Sequence, residues 1–357
     1  VSLLVIGAEL VLGDDKGPAT GALDSPRPPG TPRCARPSRY NAPVPHLGID
    51  IGGSSAKVAL LDDAARVLFR SLITLADRAD DPNSNRAVRV DVIAKAIAAA
   101  AAEAGVAPAS VTVATPGIVD ARHRRVVSLP GKLAGLEGVD WTEALAAHDP
   151  RHATPITVLN DGHAALLGEA RLGAARGARD VAMLTLGTGV GGGVMIDGRL
   201  LEGRHRRAGH LGHISLDPYG APSVFPTPGS LEWHMGDAYA AARTDGRYAS
   251  NEAIFAGVRR GEPAAVGAWA RMMRALAVGI ASIVNAFDCE RVVLGGGLLA
   301  AGSLVLEPLE RQLDEVEWRP DGIRVEVVPA TLGRFAGSVG AAVYGRDANG
   351  RREGGTS

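Results

Sequence analysis

Cysteine is nearly absent from this chain of 357 residues, which holds only Cys34 and Cys289. Far apart and in unlike contexts, the two supply neither the framework of a disulfide-stapled fold nor the closed ligand set of a structural zinc. A reducing cytoplasm is the expected setting. Charge of one sign is missing too. Lys and Arg number 38 against 39 Asp and Glu, so no electrostatic field argues for nucleic acid or an anionic membrane as partner. The apolar opening from Val1 to Leu12 is too short to span a bilayer, contains Glu9 and has no basic leader before it. It is not expected to act as a signal peptide. Nor is there a G-x-x-x-x-G-K-[ST] loop, the commonest phosphate-binding device. These absences leave a small-molecule substrate.

What is present falls into a tail and two similar halves. Residues 1–45, rich in Pro, Gly and Arg from Gly13 onward, have no helical or strand periodicity and are expected to lie outside the fold, as a tail or as sequence upstream of the natural start. HLGIDIGG (46–53) reads as a buried strand and tight turn, followed by strands AKVALLD and RVLFRSLIT and a helix from Val90 to Ala104. The strand SVTVATPG, a turn-rich region from Ser128 to Asp140, a short helix from Trp141, the strand ITVLND and a helix from Gly162 to Leu172 complete the first cycle. A second cycle begins at Val181: VAMLTLG and GGGVMID flank a glycine turn, and Asp197-Gly198 signals a hairpin into RLLEG. A helix near Ser230 and a long apolar one from Glu262 to Phe287 follow. Then come the strand RVVLGGG, a helix near Leu304 to Glu315, the strand RVEVVP and a last helix from Ser338 to Tyr344. Strand triplets followed by alternating helices and strands, twice over, predict two α/β lobes with a ligand cleft between them. The expected bounds are 46–159 and 160–346, with the final helix packing back on the first lobe and 347–357 a flexible tail.

Three glycine clusters each follow a strand: Gly52-Gly53, the run LGTGVGGG with Gly187, Thr188 and Gly189, and Gly295-Gly296-Gly297. Glycine lets backbone turn with positive φ and approach a ligand closely, so that N–H groups can face phosphate oxygens. One such turn is weak evidence, because a tight hairpin needs the same residue. Three such turns, expected at equivalent points of two similar halves, favour nucleotide binding. The glycines of LGTGVGGG lie between strands instead of opening a helix, which argues against a Rossmann dinucleotide site.

DIGGSSAK resembles the first phosphate motif of the sugar kinase, Hsp70 and actin superfamily, LGTGVGGGV its second, and VVLGGGL its adenosine motif. LNDGHAA and the stretch from AGHLGH to SLE resemble the ROK family of bacterial sugar kinases and repressors, over about residues 46–345. The resemblance implies a two-lobed actin-like ATPase (ribonuclease H-like) fold with an interlobe cleft, a cytoplasmic location and a homo-oligomer, as a dimer. It also implies ATP, Mg²⁺ and a hexose as ligands.

Asp161 ends an apolar strand and precedes a helix, the place where α/β clefts set their chemistry. Taken alone it could cap that helix. The resemblance makes it the base that accepts the proton of the attacking hydroxyl, with Asn160 on a sugar hydroxyl and Gly117, in the Thr115-Pro116-Gly117 turn, beside the sugar. Asp50, at a strand end, would hold Mg²⁺ through water; an Asx turn is the other reading. Gly52, Gly53, Ser54 and Lys57 belong to the same nucleotide motif, with Ser54-Ser55 standing where members of the family often carry Thr-Lys. His213 and Glu232 would contact the sugar, although a turn-stabilising imidazole and a first-turn carboxylate after Ser230 are the plainer readings. His210 stands where typical members have a sugar-binding glutamate.

Glucose to glucose 6-phosphate is the leading reaction, with another hexose or an N-acylated amino sugar as alternative, and polyphosphate is compatible as donor. A sugar-sensing repressor of the same family would need a helix-turn-helix ahead of the first glycine turn, and residues 1–45 show no paired amphipathic helices. A silent sugar-binding protein is the third reading, against which Asp161 argues. Most members of the family this chain resembles hold a structural zinc through three nearby cysteines and a histidine, to which His213 would correspond. Ile214 to Leu231 contains no cysteine but carries Pro218, Pro222, Pro226 and Pro228, so no structural zinc is expected and proline stiffening would replace it.

Overall fold

The computed structural model describes residues 44–75, 82–120, 124–128, 135–148 and 156–353. The expected tail therefore lies outside the described residues up to position 43.

The first half contains β1 (His46–Ile51), β2 (Ser55–Leu61), β3 (Val67–Thr74), α1 (Pro82–Ala104), β4 (Ser110–Thr115), the hairpin β5 (Ile118–Asp120) and β6 (Arg125–Ser128), α2 (Trp141–His148), β7 (Ile156–Asn160) and α3 (Asp161–Leu172). Its main sheet has the order β3-β2-β1-β4-β7. β1 is parallel to β4 and antiparallel to β2, and β4 is parallel to β7. The central strands are continuous apolar runs because both faces are covered. Ile49, Leu60, Ile93, Val111 and Trp141 share one core.

The second half repeats the plan with β8 (Val181–Leu186), β9 (Val190–Ile196), β10 (Arg199–Leu200), α4 (Leu231–Met235), α5 (Ala240–Arg243), α6 (Asn251–Arg259), α7 (Pro263–Phe287), β11 (Arg291–Gly295), α8 (Ser303–Val316), β12 (Glu326–Pro329) and α9 (Ala336–Glu353). Its sheet order, β10-β9-β8-β11-β12, is the first sheet's order strand for strand. The hairpin at Asp197-Gly198 has both residues at positive φ, 53° and 72°, as a two-residue turn between right-twisted strands requires. Among the described residues α7 is long and apolar enough to cross a bilayer. Here it is a core helix: Trp269, Met272, Leu276 and Ile280 are buried against Leu184 and Leu294.

The fifth strand of each sheet leads into a helix that crosses to the other half. α3 packs on β8 and β9, while α9 packs on β1, β2 and β4. The two helices meet where side chains are missing: a Cβ on Gly340 would lie 1.7 Å from the Ala164 carbonyl oxygen, and one on Gly168 would lie 2.5 Å from that of Ala336. The far end of α3 is fastened by Glu169, fully buried, whose carboxylate accepts from the amides of Ala174 (2.7 Å), Thr331 (3.1 Å) and Leu332 (2.8 Å). Four donors, counting the Thr331 hydroxyl, make a buried carboxylate tolerable.

Several boundaries differ from expectation. α1 begins at Pro82, eight residues ahead of Val90, and β12 begins at Glu326 instead of Arg324. The β5–β6 hairpin and helices α5 and α6 were not anticipated. α9 runs to Glu353, through part of the stretch expected to be a flexible tail, and Arg171 of α3 pairs with its Asp347 at 2.9 Å. Asp161 does not cap α3. Asn160 does, accepting from the His163 amide at 3.1 Å with extended backbone (φ −68°, ψ 143°), and Asp161 is the first helical residue.

Candidate active site

β1, β4 and β7 run parallel, so their carboxyl ends lie together and set Asp50, Thr115 to Gly117 and Asn160-Asp161 along one rim. The Asn160 side chain is used twice. Its oxygen caps α3, and its Nδ2 donates to the Gly117 carbonyl at 3.0 Å, fixing a turn in which Gly117 has φ +93°. A side chain there would be strained. The Asp161 Oδ1 accepts from the Gly162 amide at 2.8 Å. Gly162 itself must be glycine, because a Cβ would lie 2.4 Å from the Gly192 oxygen in β9. The base candidate is thereby seated against the second sheet.

Asp50 is held up at about 6 by burial and, secondarily, by the Asp161 charge, while Lys57 opposes the shift from 3.9 Å. Gly337, in the first turn of α9, abuts the same carboxylate. Asp50 and Asp161, two acids close enough for one to feel the other's charge, make a place where a divalent cation would be favourable.

The three glycine clusters divide their labour in the same way. A Cβ on Gly52 would lie 3.2 Å from the Ser55 oxygen, on Gly189 2.4 Å from Glu232 Oε2, and on Gly296 (φ +95°) 2.3 Å from the Leu186 oxygen. On Gly53, Gly187 and Gly297 it would meet nothing within 4 Å. Each cluster has a glycine packed against the protein and one that borders open space; in the third, Gly295 is packed as well, a Cβ there lying 3.0 Å from Met183 Cε. The clusters are not all topologically equivalent, however. The first two lie in matching hairpins, β1–β2 and β8–β9, whereas Gly295 to Gly297 follow β11, the counterpart of β4 with its Gly117 turn.

In the 187–189 loop the backbone direction is set. The carbonyls of Gly187 and Thr188 accept from the amides of Asp237 and Ala238, each at 3.0 Å. A trans peptide is planar, with its N–H antiparallel to its C=O. The amides of Thr188 and Gly189 therefore point the opposite way, as an anion site requires. Ser54 contributes its carbonyl to the Leu75 amide at 2.9 Å.

On the other side of the rim, Ser230 caps α4 by accepting from the Trp233 amide at 3.2 Å, which places Glu232 in the first turn. Glu232 is buried, and its Oε2 accepts from the Val190 amide at 3.0 Å. One of the two oxygens expected for the sugar is thus committed to the loop. Burial and the Glu232 charge push the Tyr239 hydroxyl up. His163, His210 and His213 form a row, with ring centroids 6.1 and 6.3 Å apart. Burial lowers all three; His210 falls to about 4, with His163 and His213 adding to the effect. His163 is hydrogen-bonded to the Ala208 carbonyl at 3.0 Å, whereas His210 Nε2 and His213 Nδ1 are buried without a hydrogen-bond partner.

His213 stands edge-on to Phe225 at 4.6 Å. The loop after it closes on itself through Ser215 Oγ to the Pro228 carbonyl (2.7 Å), the Leu216 amide to Gly229 (2.8 Å) and the Leu231 amide to Ile214 (2.8 Å). Among the described residues no group of three or more His, Cys, Asp or Glu is arranged to hold a metal, and Cys289 is a buried free thiol in the second core.

The structure brings together most of the residues that the sequence singles out, and adds others. Val119, Leu159, Asn160, His163, Glu202 and Arg206 line a crevice beside Asn160. Arg206 reaches from the second half to Asp120 (3.6 Å) and Glu202 (3.3 Å). Leu159, Asn160 and His163 lie within LNDGHAA, although the resemblance gives only Asn160 of the three a role; no motif marked Val119, Glu202 or Arg206.

Residues 46–347 match the ROK family, and the chain belongs to it. It is 30% identical to a glucokinase of Streptomyces coelicolor over 84% of this chain and 97% of that enzyme. It is 31% identical to an N-acetylmannosamine kinase of Escherichia fergusonii over 83% of this chain and 97% of that one. The crystal structure of a ROK family glucokinase from Streptomyces griseus in complex with glucose and AMPPNP superposes with a TM-score of 0.68 at 30% identity, covering 85% of this chain and 99% of that one. The fold is the two-lobed actin-like ATPase fold.

Proposed function

We propose that this protein transfers the γ-phosphoryl group of ATP to a hydroxyl of a hexose, with glucose to glucose 6-phosphate as the leading reaction. It is a sugar kinase. The observation that supports the fuller reading is the arrangement of the glycine clusters: Gly53 follows β1, on the rim that carries Asp161, Gly187 and Gly297 follow the matching strands β8 and β11 of the second sheet, and a Cβ on any of the three would meet no protein atom within 4 Å. Phosphates would lie on the outward amides of Thr188 and Gly189 and on the Gly52-Gly53 turn, while Gly295 to Gly297 would border the adenosine. Asp50, half-buried and close enough to Asp161 to feel its charge, would hold Mg²⁺ through water, and Lys57 belongs to the same cluster. The ion would neutralise phosphate charge as it develops. Asp161 would orient the sugar hydroxyl and accept its proton, and Asn160, Gly117, His213 and Glu232 would hold the ring. Catalysis on this reading is positioning and charge neutralisation, with no covalent intermediate.

His210 favours a second reading for the substrate. Its ring is neutral at physiological pH and its Nε2 is buried without a protein partner, so it offers the sugar an uncharged group in place of a carboxylate. An N-acylated amino sugar, whose amide is itself neutral, suits such a site. A panel of glucose, other hexoses and N-acylated hexosamines, assayed with ATP and with polyphosphate, tests both readings. Turnover with none of them would sink the assignment of the reaction, and the ratio of kcat/KM values separates the two substrate classes.

A further inference from the structure

Arg243 lies away from the rim, and nothing in the chemistry above uses it. Burial lowers its guanidinium to about 10, against the favourable charge of Asp237. Its partners explain why it is there. Nη1 donates to the carbonyls of Trp233 (2.9 Å) and Gly236 (2.7 Å), at the end of α4 where helical carbonyls lack intrahelical donors and the dipole favours a cation. Nη2 donates to the side-chain oxygen of Asn251. Asn251 in turn donates from Nδ2 to the Met235 carbonyl (2.9 Å) and from its backbone amide to Asp237 Oδ1 (2.7 Å). Two side chains thus fasten the whole segment from Trp233 to Asp237.

That segment is the one whose next amides, of Asp237 and Ala238, hold the Gly187 and Thr188 carbonyls. Rotating either peptide plane would turn an outward N–H inward, since the two groups move as one rigid unit. We propose that Arg243 is a positioning residue for phosphoryl transfer: through the 233–238 segment it sets the orientation of the Thr188 and Gly189 amides that face the nucleotide. This rests on the reading of the 187–189 loop as a phosphate site. A guanidinium suits the task because it serves three oxygen acceptors at fixed angles, which an ammonium cannot reproduce.

The test uses the full chain with Arg243→Met, Arg243→Lys and Asn251→Ser, measuring KM for ATP, KM for the sugar, kcat and unfolding temperature. Displacing one hydrogen-bonded phosphate contact is expected to raise the ATP KM about tenfold. kcat should fall as well, while the sugar KM changes much less, because Glu232 keeps its own bond to Val190. Arg243→Lys should recover part of the ATP affinity by reaching one carbonyl. Asn251→Ser gives the same reading if Arg243→Met does not fold. A lower unfolding temperature with an unchanged ATP KM in the folded variants would overturn the proposal, leaving Arg243 as scaffolding. Gly187→Ala separates this failure from failure of the loop reading: its Cβ meets no protein atom within 4 Å, so an unchanged ATP KM there would remove the phosphate site itself.

Discussion

Acidification should weaken this protein more than its carboxylates alone would, and His210 offers a way to measure it. The His210 ring falls from its ordinary 6.5 to about 4 in the folded state, chiefly through burial. Above pH 6.5 neither the folded nor the unfolded ring carries the proton, so the ring adds no pH dependence. Below it the unfolded chain takes up a proton that the folded chain refuses until about pH 4, and stability falls as pH falls. At about 1.4 kcal/mol per pK unit the full difference is about 3 kcal/mol, most of it expressed by about pH 4.5. That is a large part of a typical folding free energy of roughly 5–15 kcal/mol. His163, His213 and His234 are lowered as well and act in the same direction. His210→Gln removes one titrating ring while keeping a polar side chain of similar reach. Urea unfolding of both proteins from pH 7.5 to 4.5 should give parallel stabilities above pH 7. A shallower acid fall is expected for the variant, by about 1.4 kcal/mol per pH unit near pH 5. Identical slopes would refute the reasoning, since they would mean that His210 titrates in the native protein as it does in the unfolded chain.

Asp161→Asn is expected to lower kcat by about 10²–10⁴, the usual cost of losing a general base, while calorimetry finds sugar and nucleotide binding largely kept. Near-normal turnover would remove Asp161 from the chemistry. Elemental analysis should find zinc well below one per chain, and a strong chelator should leave the unfolding temperature unchanged once magnesium is restored for the assay. One tightly held zinc, lost together with activity, would contradict the cysteine-free loop between Ile214 and Leu231.

The parts of the site that could be read in the sequence are those made by neighbours in the chain. Asp50 with Gly52-Gly53, the 187–189 turn and Asn160-Asp161 each follow an apolar strand, and a buried strand is visible as a run whatever it packs against. Which residue caps α3 was not visible, because Asn160 and Asp161 are both good caps by type. The choice is made by the Gly117 carbonyl, 43 residues away, which holds the Asn160 amide. The last turns of α9 were missed for a similar reason: Gly345, Asn349 and Gly350 are poor helix formers, and contact with α3 through Arg171 and Asp347 overrides them. Arg243 and Asn251 carry no motif. Their meaning lies in the acceptors of the segment from Trp233 to Asp237 and in their bond to each other, which only the folded chain assembles.

The crossing of α3 and α9 has a mechanical corollary. Helices usually meet through interdigitated side chains, which resist rotation as gear teeth do. Here Gly168 and Gly340 bring backbone against backbone, so the teeth are missing at the point of closest approach. Two plates that touch backbone to backbone where they cross can turn there with little repacking of side chains, and displacement grows with distance from that point. Asp161 lies seven residues from Gly168 along α3, about 10 Å at 1.5 Å per residue. On the proposed kinase reading, a turn of the two halves about this crossing would carry the nucleotide loops farther than Asp161, and the base would serve as the nearly stationary mark toward which the phosphoryl group moves.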